Sequence, residues 1–465
     1  MNLLENIKNV YFLGIGGIGM SALARYFKFT GKNVAGYDKT RTALTDALQS
    51  EGIDVHYDDD IRKIPSNWNP YETLAVFTPA LPDDHGELSW FREKPVGLLK
   101  RAKVLGMVCN EKDCIAVAGT HGKTTVSTMA ANILKKTEAG CGAFLGGISK
   151  NTGSNLLLPK EGSPWIVAEA DEFDRSFLNL TPLIAVVTSA DADHLDIYGR
   201  KERMIESFEK FISQIREGGM LVIKTGLEIN IEKTKATVYS YSLNDNSADF
   251  YALNLRLSGE GGYYSFDLHT PEGVVPDCRL GYPGLINVEN AVAASAAAFL
   301  AGADAVVIKA GLEDYQGVVR RFDVRFRDER HVYIDDYAHH PRELSAVINS
   351  VKALYPGRKV TGIFQPHLYS RTRDFVNEFA ASLDLLDETI LVPVYPARED
   401  PIPGVSSELI YNIMKSDKKY LAEKEEVASL LGDHSTDIVI TLGAGDIDSI
   451  SDDITEVLKS KKDAT

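Results

Sequence analysis

Lys123 and Thr124 follow directly on a glycine turn, Gly119-Thr120-His121-Gly122, and residues of these types at this spacing can hold a polyphosphate. Glycines let backbone N–H groups converge on phosphate oxygens, and a helix N-terminus adds partial positive charge. A lysine there reaches the β- and γ-phosphates, and the next hydroxyl can sit on Mg2+. The run carries Val117 where the strict pattern G-x-x-x-x-G-K-S/T has its first glycine. ATP is the ligand this loop predicts, with Thr125 completing the residues around it. The plain alternative is a glycine-rich turn followed by an exposed lysine.

A second glycine turn, Gly14-Ile15-Gly16-Gly17-Ile18-Gly19, matches G-x-G-x-x-G without mismatch, and Asp38 stands about where a ribose-binding carboxylate would. By itself the pattern fits NAD, but the same turn and helix dipole hold any diphosphate, a nucleotide sugar included. Thr78, at the end of another apolar run, can face the same ligand. Two further apolar runs end in acids: residues 165–168 lead into Glu169 and its neighbours, and residues 183–188 lead into Asp191, Asp193, His194 and Asp196. Carboxylates and an imidazole beside a phosphate loop are candidate Mg2+ ligands, although any one of these acids could equally be a solvated turn or a helix cap.

The elements that must position these groups alternate. Residues 9–13 and 115–118 are short enough for buried strands. Helical spacing follows each glycine turn, through Met20, Leu23, Ala24 and Phe27 in one case and Met129, Ile133 and Leu134 in the other. A small helix is expected over 98–108, an antiparallel hairpin over 251–268, and a buried helix from Val288. Further on, strands near 332–334, 360–364, 390–394 and 438–442 run into DDYAHHP, QPHLYSRTR, YPARED and GAGDI. The fold class this predicts is α/β with three domains, over 1–107, 108–318 and 319–465: a Rossmann-like N-terminal domain, a central P-loop ATPase-like domain with an accessory antiparallel sheet, and a Rossmann-like C-terminal domain. The charged tail after Leu458 is expected to be disordered.

Composition narrows the partners. At 465 residues, 44% apolar and 25% charged, the chain can bury sizeable cores, and a net charge of -16 argues against a nucleic-acid or anionic-membrane partner. Anionic ligands must then be held by local cations and backbone dipoles. Four cysteines without C-x-x-C spacing read as reduced thiols of a cytoplasmic protein. The first apolar segment is broken by glycines and has no basic lead, so no signal peptide is read, and the apolar tract 291–303 is too short to span a bilayer. Nothing in the sequence sets an oligomeric state.

GIGGIGMSALA, GTHGKTT, EADEFDRSFL, DADHLD, PGLINVENAVAA, RRFD, DDYAHHP, FQPHLYSRTRD and LGAGDI, in that order and over nearly the whole chain, resemble the signature series of the Mur ligases. The resemblance implies an N-terminal domain holding a UDP sugar through Gly14, Gly16, Gly17, Ile18 and Gly19, with Asp38 and Thr78 nearby. It implies ATP in the central domain and an amino acid brought by the last one, and it favours UDP over NAD at the first glycine turn. The implied reaction is ATP-dependent amide-bond formation in peptidoglycan synthesis: the lactyl carboxylate of UDP-N-acetylmuramate attacks the γ-phosphate, and L-alanine displaces phosphate from the acyl phosphate.

Motif by motif, the resemblance puts Lys123 on the β/γ-phosphates, Thr124 and Glu169 on one Mg2+, and His194 with Glu169 on a second. Asn287 and Asn290 match adenine-reading positions, Asp336 a ribose-reading one, and Arg321 an arginine that meets the phosphates as the last domain closes. Tyr337, His339, His367 and Arg371 match an L-alanine pocket, while His340 is read as the cap of a helix beginning at Pro341. Leu368 replaces an arginine of the family pattern, Ile286 a histidine and Ser189 an asparagine. The alternatives are a ligase of the same family that attaches a tripeptide to the same UDP sugar, an NAD-binding oxidoreductase, and a P-loop switch protein. The second leaves GTHGKTT, Glu169 and His194 without a role, and the third leaves the C-terminal histidines idle.

Overall fold

The computed structural model describes residues 4–79, 81–191, 198, 200–258, 262–397 and 399–463. In the N-terminal part, β1 (Asn9–Leu13), β2 (Asn33–Tyr37), β3 (Asp54–His56), β4 (Thr73–Phe77) and β5 (Gly97–Lys100) pair in parallel in the order β3-β2-β1-β4-β5. β1 is apolar throughout because both its faces are covered: Val10 and Phe12 pack with Leu23, Phe27 and Val76, and Tyr11 and Leu13 with Ala35, Leu88 and Phe91. The stretch expected to be one helix divides. Leu98 and Leu99 join β5 because β4 offers a free edge, and the helix is Arg101–Asn110. Strand pairing there overrides the local helical spacing.

The central strands are β6 (Asp113–Ala118), β7 (Gly142–Ser149), β8 (Ser154–Leu157), β9 (Trp165–Ala170), β10 (Ile184–Val187), β11 (Met220–Lys224), β12 (Thr237–Ser242), β13 (Phe250–Ser258), β14 (Tyr263–Thr270) and β15 (Gly273–Arg279). They form one ten-stranded sheet, β15-β14-β13-β12-β11-β10-β6-β9-β7-β8. β6 lies between β10 and β9, parallel to both, as a strand apolar on both faces requires. The accessory strands extend this sheet, because β13 pairs in parallel with β12. The link from β13 to β14 is too short for a crossover, which leaves a hairpin as its only solution.

The last sheet contains β16 (Asp323–Arg327), β17 (Val332–Asp336), β18 (Val360–Phe364), β19 (Glu388–Leu391), β20 (Lys419–Leu421) and β21 (Ile438–Leu442), in the order β16-β17-β21-β18-β19-β20. All pairs are parallel except that of β16 with β17. The final helix runs Ser451–Asp463, so the tail expected to be disordered is helical as far as Asp463; Ile454 and Leu458, one turn apart and fully buried, anchor it. Among the described residues no helix is long and apolar enough to cross a membrane, and the four cysteines are buried free thiols.

The chain divides into two compact units, one of Met1–Leu255, Phe266–Leu280 and Glu289–Gln316, the other of Arg256–Ser265, Gly281–Val288 and Gly317–Thr465. Inside the first, the helix Ile18–Phe29 packs on β7 and β8. Asn155 Nδ2 donates to Ile18 O (2.5 Å) and Ser21 Oγ (2.9 Å), and Arg25 Nη1 donates to Asn155 Oδ1 (2.5 Å). The helix behind the first glycine turn is therefore docked on the central sheet.

Candidate active site

β1 ends at Leu13, and Gly14 turns with φ +87°, where a Cβ would be strained and would come within 2.6 Å of Thr78 Cγ2. The Gly14 and Ile15 N–H groups donate to Tyr37 O at 2.8 and 2.9 Å, and Gly16 N–H donates to Asp38 Oδ2 at 2.7 Å. Asp38 Oδ1 accepts from Thr40 N–H at 3.1 Å, so one oxygen of this carboxylate braces the glycine turn and the other its own following residues. Helical bonding begins with Met20 and Ser21 donating to Gly17 O, which leaves the N-terminus at Ile18 and Gly19 facing outward for an anion.

In the central sheet, β6 runs into Gly119 (φ +141°) and Gly122 (φ +82°), and the helix Lys123–Leu134 begins without a side-chain cap. The end of β10 braces this loop. Thr188 Oγ1 donates to Ala118 O (3.2 Å) and His121 O (2.5 Å). Ser189 Oγ accepts from His121 N–H (2.7 Å) and from Thr120 Oγ1 (3.0 Å). A hydroxyl at Ser189 is thus enough to fix the loop backbone where the family pattern has an amide. Asn290 Oδ1 lies beside Gly122, 3.0 Å from where a Cβ would stand.

Lys123 Nζ donates to Gly119 O at 2.6 Å and pairs with Glu172 at 2.8 Å. Burial pulls this ammonium down, but the Glu172, Asp171 and Glu169 carboxylates outweigh it and hold the lysine above its ordinary range. Sequence reasoning passed over Glu172; its only signal was its place in the acid run after a strand. Thr124 and Thr125 are buried in the first helical turn.

Glu169, on β9, is paired in register with Val117 of β6, one strand from the loop. Its Oε2 is buried without a hydrogen-bond partner among the described residues, and a side chain at Gly146 would run into its carboxylate. An orphaned carboxylate oxygen in a cradle that glycine keeps open fits a hard cation such as Mg2+. His194 lies outside the described residues, among which no group of three or more metal-binding side chains gathers.

In the second unit, Asn287 is buried at the start of the helix Leu285–Leu300, its Nδ2 donating to Pro283 O at 2.6 Å, whereas Ile286 beside it is exposed. Asp336 ends β17 and accepts from Phe322 N–H (2.6 Å) and Ala338 N–H (2.7 Å). Burial pushes its carboxyl up to about 6 against the pull of Arg321 and these two amides. The neighbouring arginines differ. Both guanidiniums lie over the Tyr337 ring, 5.1 and 5.0 Å from its centre, but Arg320 is also tied to Gly443 O (2.7 Å) and Gly445 O (2.8 Å).

The structure brings three of the four expected amino-acid residues together: the Tyr337 and His339 rings are 5.5 Å apart, and those of His339 and His367 5.9 Å. They sit past the carboxyl ends of β17 and β18. Arg371 is buried in the following helix, Tyr369–Asp374. Leu368, between them, is buried with φ +68°, an uncommon conformation for a non-glycine residue that costs about 1–3 kcal/mol. His340 caps the next helix as expected: Arg342 N–H donates to its Nδ1 (3.4 Å), and Glu343 Oε2 accepts from His340 N–H (3.3 Å).

Family models match the same three parts of the chain: one described as Mur ligase family, catalytic domain over residues 9–113, the Mur ligase middle domain over 117–298, and the Mur ligase, glutamate ligase domain over 320–445. The chain is 50% identical over 457 residues to a UDP-N-acetylmuramate–L-alanine ligase of Parabacteroides distasonis, covering 98% of each. With that of Phocaeicola vulgatus it shares 48% over 460 residues, covering 98% of this chain and all of the other. Among solved structures, a UDP-N-acetylmuramate-alanine ligase from Thermotoga maritima matches with a TM-score of 0.81 at 27% identity, covering 97% of this chain and 99% of that one. A murein peptide ligase from Psychrobacter arcticus matches with a TM-score of 0.69 at 21% identity, covering 97% and 98%.

Proposed function

Because this chain belongs to the Mur ligase family, we propose that it joins L-alanine to the lactyl carboxylate of UDP-N-acetylmuramate at the expense of ATP, in cytoplasmic peptidoglycan precursor synthesis. The proposal includes a division of labour among residues 1–107 for the UDP sugar, 108–318 for ATP and 319–465 for the amino acid. A carboxylate oxygen attacks the γ-phosphorus and ADP leaves; the alanine nitrogen then attacks the acyl carbon and phosphate leaves. An anion attacking an anion needs positioning and charge neutralisation above all.

Lys123 supplies the loop's cation, restrained by Gly119 O and Glu172 so that it meets the β- and γ-phosphates without searching rotamers. The first helical turns at Ile18 and Gly19 receive the diphosphate of the sugar. Asn287, Asn290, Asp336 and Arg321 are assigned to ATP. Tyr337, His339 and His367 wall the alanine, and Arg371 takes its carboxylate in fork geometry, the more so because Leu368 offers no charge. Thr124 and Glu169 would hold Mg2+, which supplies charge neutralisation between carboxylate and phosphates, and His194 belongs to a second ion.

The observation that carries this reading is the restrained loop lysine beside the orphaned Glu169 oxygen. The test is phosphate release from ATP with Mg2+ and UDP-N-acetylmuramate, adding L-alanine, glycine, L-serine or the tripeptide L-Ala-γ-D-Glu-diaminopimelate in parallel. L-alanine should drive turnover best. Turnover with the tripeptide alone would reassign the chain to the peptide-adding branch, and none with any of them would end the ligase reading.

A further inference from the structure

The substrate carboxylate must approach an acidic strand end. β9 delivers Glu169, and Asp171, Glu172 and Asp174 follow it. A carboxylate brought there needs a cation with donors to spare, and the nearby cations differ in that respect. Lys123 is held by Glu172 and Gly119 O, and Lys100 pairs with Asp174 at 3.1 Å. Arg175 is exposed and lies over the Tyr198 ring, 5.2 Å from its centre.

Arg101 is different. Its side chain is only 21% exposed, its Nη2 is 3.7 Å from Asp171 Oδ2, beyond hydrogen-bond length, and its guanidinium donates no hydrogen bond to the described residues. A guanidinium carries five donors, so this one is under-used. It stands at the carboxyl end of β5, on the ligand edge of the first sheet. It also lies directly on Gly19, where a Cβ would come within 2.8 Å of Nη1. At its other side it shares a narrow crevice with Glu169 and Asp171. Arg101 therefore spans the path from the diphosphate turn to the strand-end acids, and a sugar acid held at one and reacting at the other must pass it.

We propose that Arg101 grips the carboxylate of the nucleotide sugar and thereby selects an acceptor that carries one; this rests on the function proposed above. The diphosphate already has the open helix N-terminus at Ile18 and Gly19, whereas the carboxylate otherwise meets the ion that Thr124 and Glu169 would hold and the acids Asp171 and Asp174 that follow β9. Asp171 keeps the guanidinium in place until the substrate carboxylate takes over in bidentate geometry.

The test compares UDP-N-acetylmuramate with UDP-N-acetylglucosamine, which lacks the lactyl ether, by calorimetry on the full chain with Mg2+ and a non-hydrolysable ATP analogue present. Arg101→Met should weaken the first about 10- to 100-fold and leave the second unchanged, which also reports an intact fold. Arg101→Lys, which keeps the charge and loses the fork, should fall between, with KM for the sugar acid raised and KM for ATP within about twofold. Equal weakening of both sugars in the two variants would place Arg101 on the diphosphate and overturn the inference. Discrimination that survives in both would overturn it as well. Wild-type protein that binds the two sugars alike would instead remove the acceptor proposed above, and this inference with it.

Discussion

The first unit holds two glycine turns built on one plan, and they differ in where their charge comes from. Both follow a buried parallel strand and open a helix, so both present backbone amides to an anion. The turn at 119–122 carries its own lysine, tied back to Glu172, and its backbone is fixed by hydroxyls at the end of β10. The turn at 14–19 has no basic residue, and an acid, Asp38, shapes it by accepting from Gly16 N–H. A turn of the second kind can hold a diphosphate but cannot drive chemistry on one. That explains why its motif fits NAD and UDP sugars equally well, whereas the first kind already implies phosphoryl transfer.

The contrast breaks most sharply at the lysine. Lys123→Ala should lower phosphate release on the order of 10³-fold or more while UDP-N-acetylmuramate still binds within about twofold. Normal turnover in that variant would mean that the two turns do not divide the work. Gly14→Ala tests the other side. It forces a Cβ into a φ of +87° and against Thr78, so KM for the nucleotide sugar should rise about tenfold and stability fall by about 1–3 kcal/mol, with KM for ATP unmoved. A change in ATP kinetics alone would reverse the assignment of the turns.

A finer contrast sets two buried glutamates side by side. Glu172 has a lysine; Glu87, behind β1, has the Tyr11 hydroxyl (2.7 Å) and the Asp60 N–H (3.3 Å). Burial pushes Glu87 up to about 7, with Asp59 and Asp60 adding to the rise and those two hydrogen bonds opposing it. An acid whose folded pKa is raised contributes stability that is full below about pH 4.5 and is lost as pH rises through 7. His56, held below its ordinary range mainly by burial, works the other way, its contribution lost as pH falls. Glu87→Gln removes the glutamate and, with it, the carboxylate 3.3 Å from His56 Nε2: denaturant unfolding at pH 5 and pH 8 should show a wild-type decline larger by roughly 1–2 kcal/mol. Equal declines would mean that Glu87 ionises in the fold as freely as in the unfolded chain.

Much of this was legible because glycine and burial act locally. A positive φ at Gly122 and a strand apolar on both faces at 115–118 leave marks that sequence shows directly. His340 was readable as a cap because Pro341 and Glu343 stand at fixed offsets from it. What sequence did not show depends on which distant group a side chain meets. Asp38 reads from its spacing only as a ribose-side acid; that its Oδ2 also accepts from Gly16 N–H, inside the glycine turn, is seen only in the fold. Arg101 reads as an ordinary basic residue at a helix start until Gly19 and Asp171 are seen on either side of it. Leu98 and Leu99 have helical spacing, and only the free edge of β4 makes them a strand.

The position of β6 between β10 and β9 also governs how the protein is made. The first sheet has all five strands once Lys100 has been synthesised. β6, with no exposed residue and its backbone groups unpaired on both edges, must then wait for Trp165–Ala170 and Ile184–Val187 to be added before either edge closes. During that interval the nascent chain carries an apolar strand with two open edges, the form most prone to pair with another chain. The strand that supports the phosphate loop is thus the one whose biogenesis depends most on being shielded until its neighbours arrive.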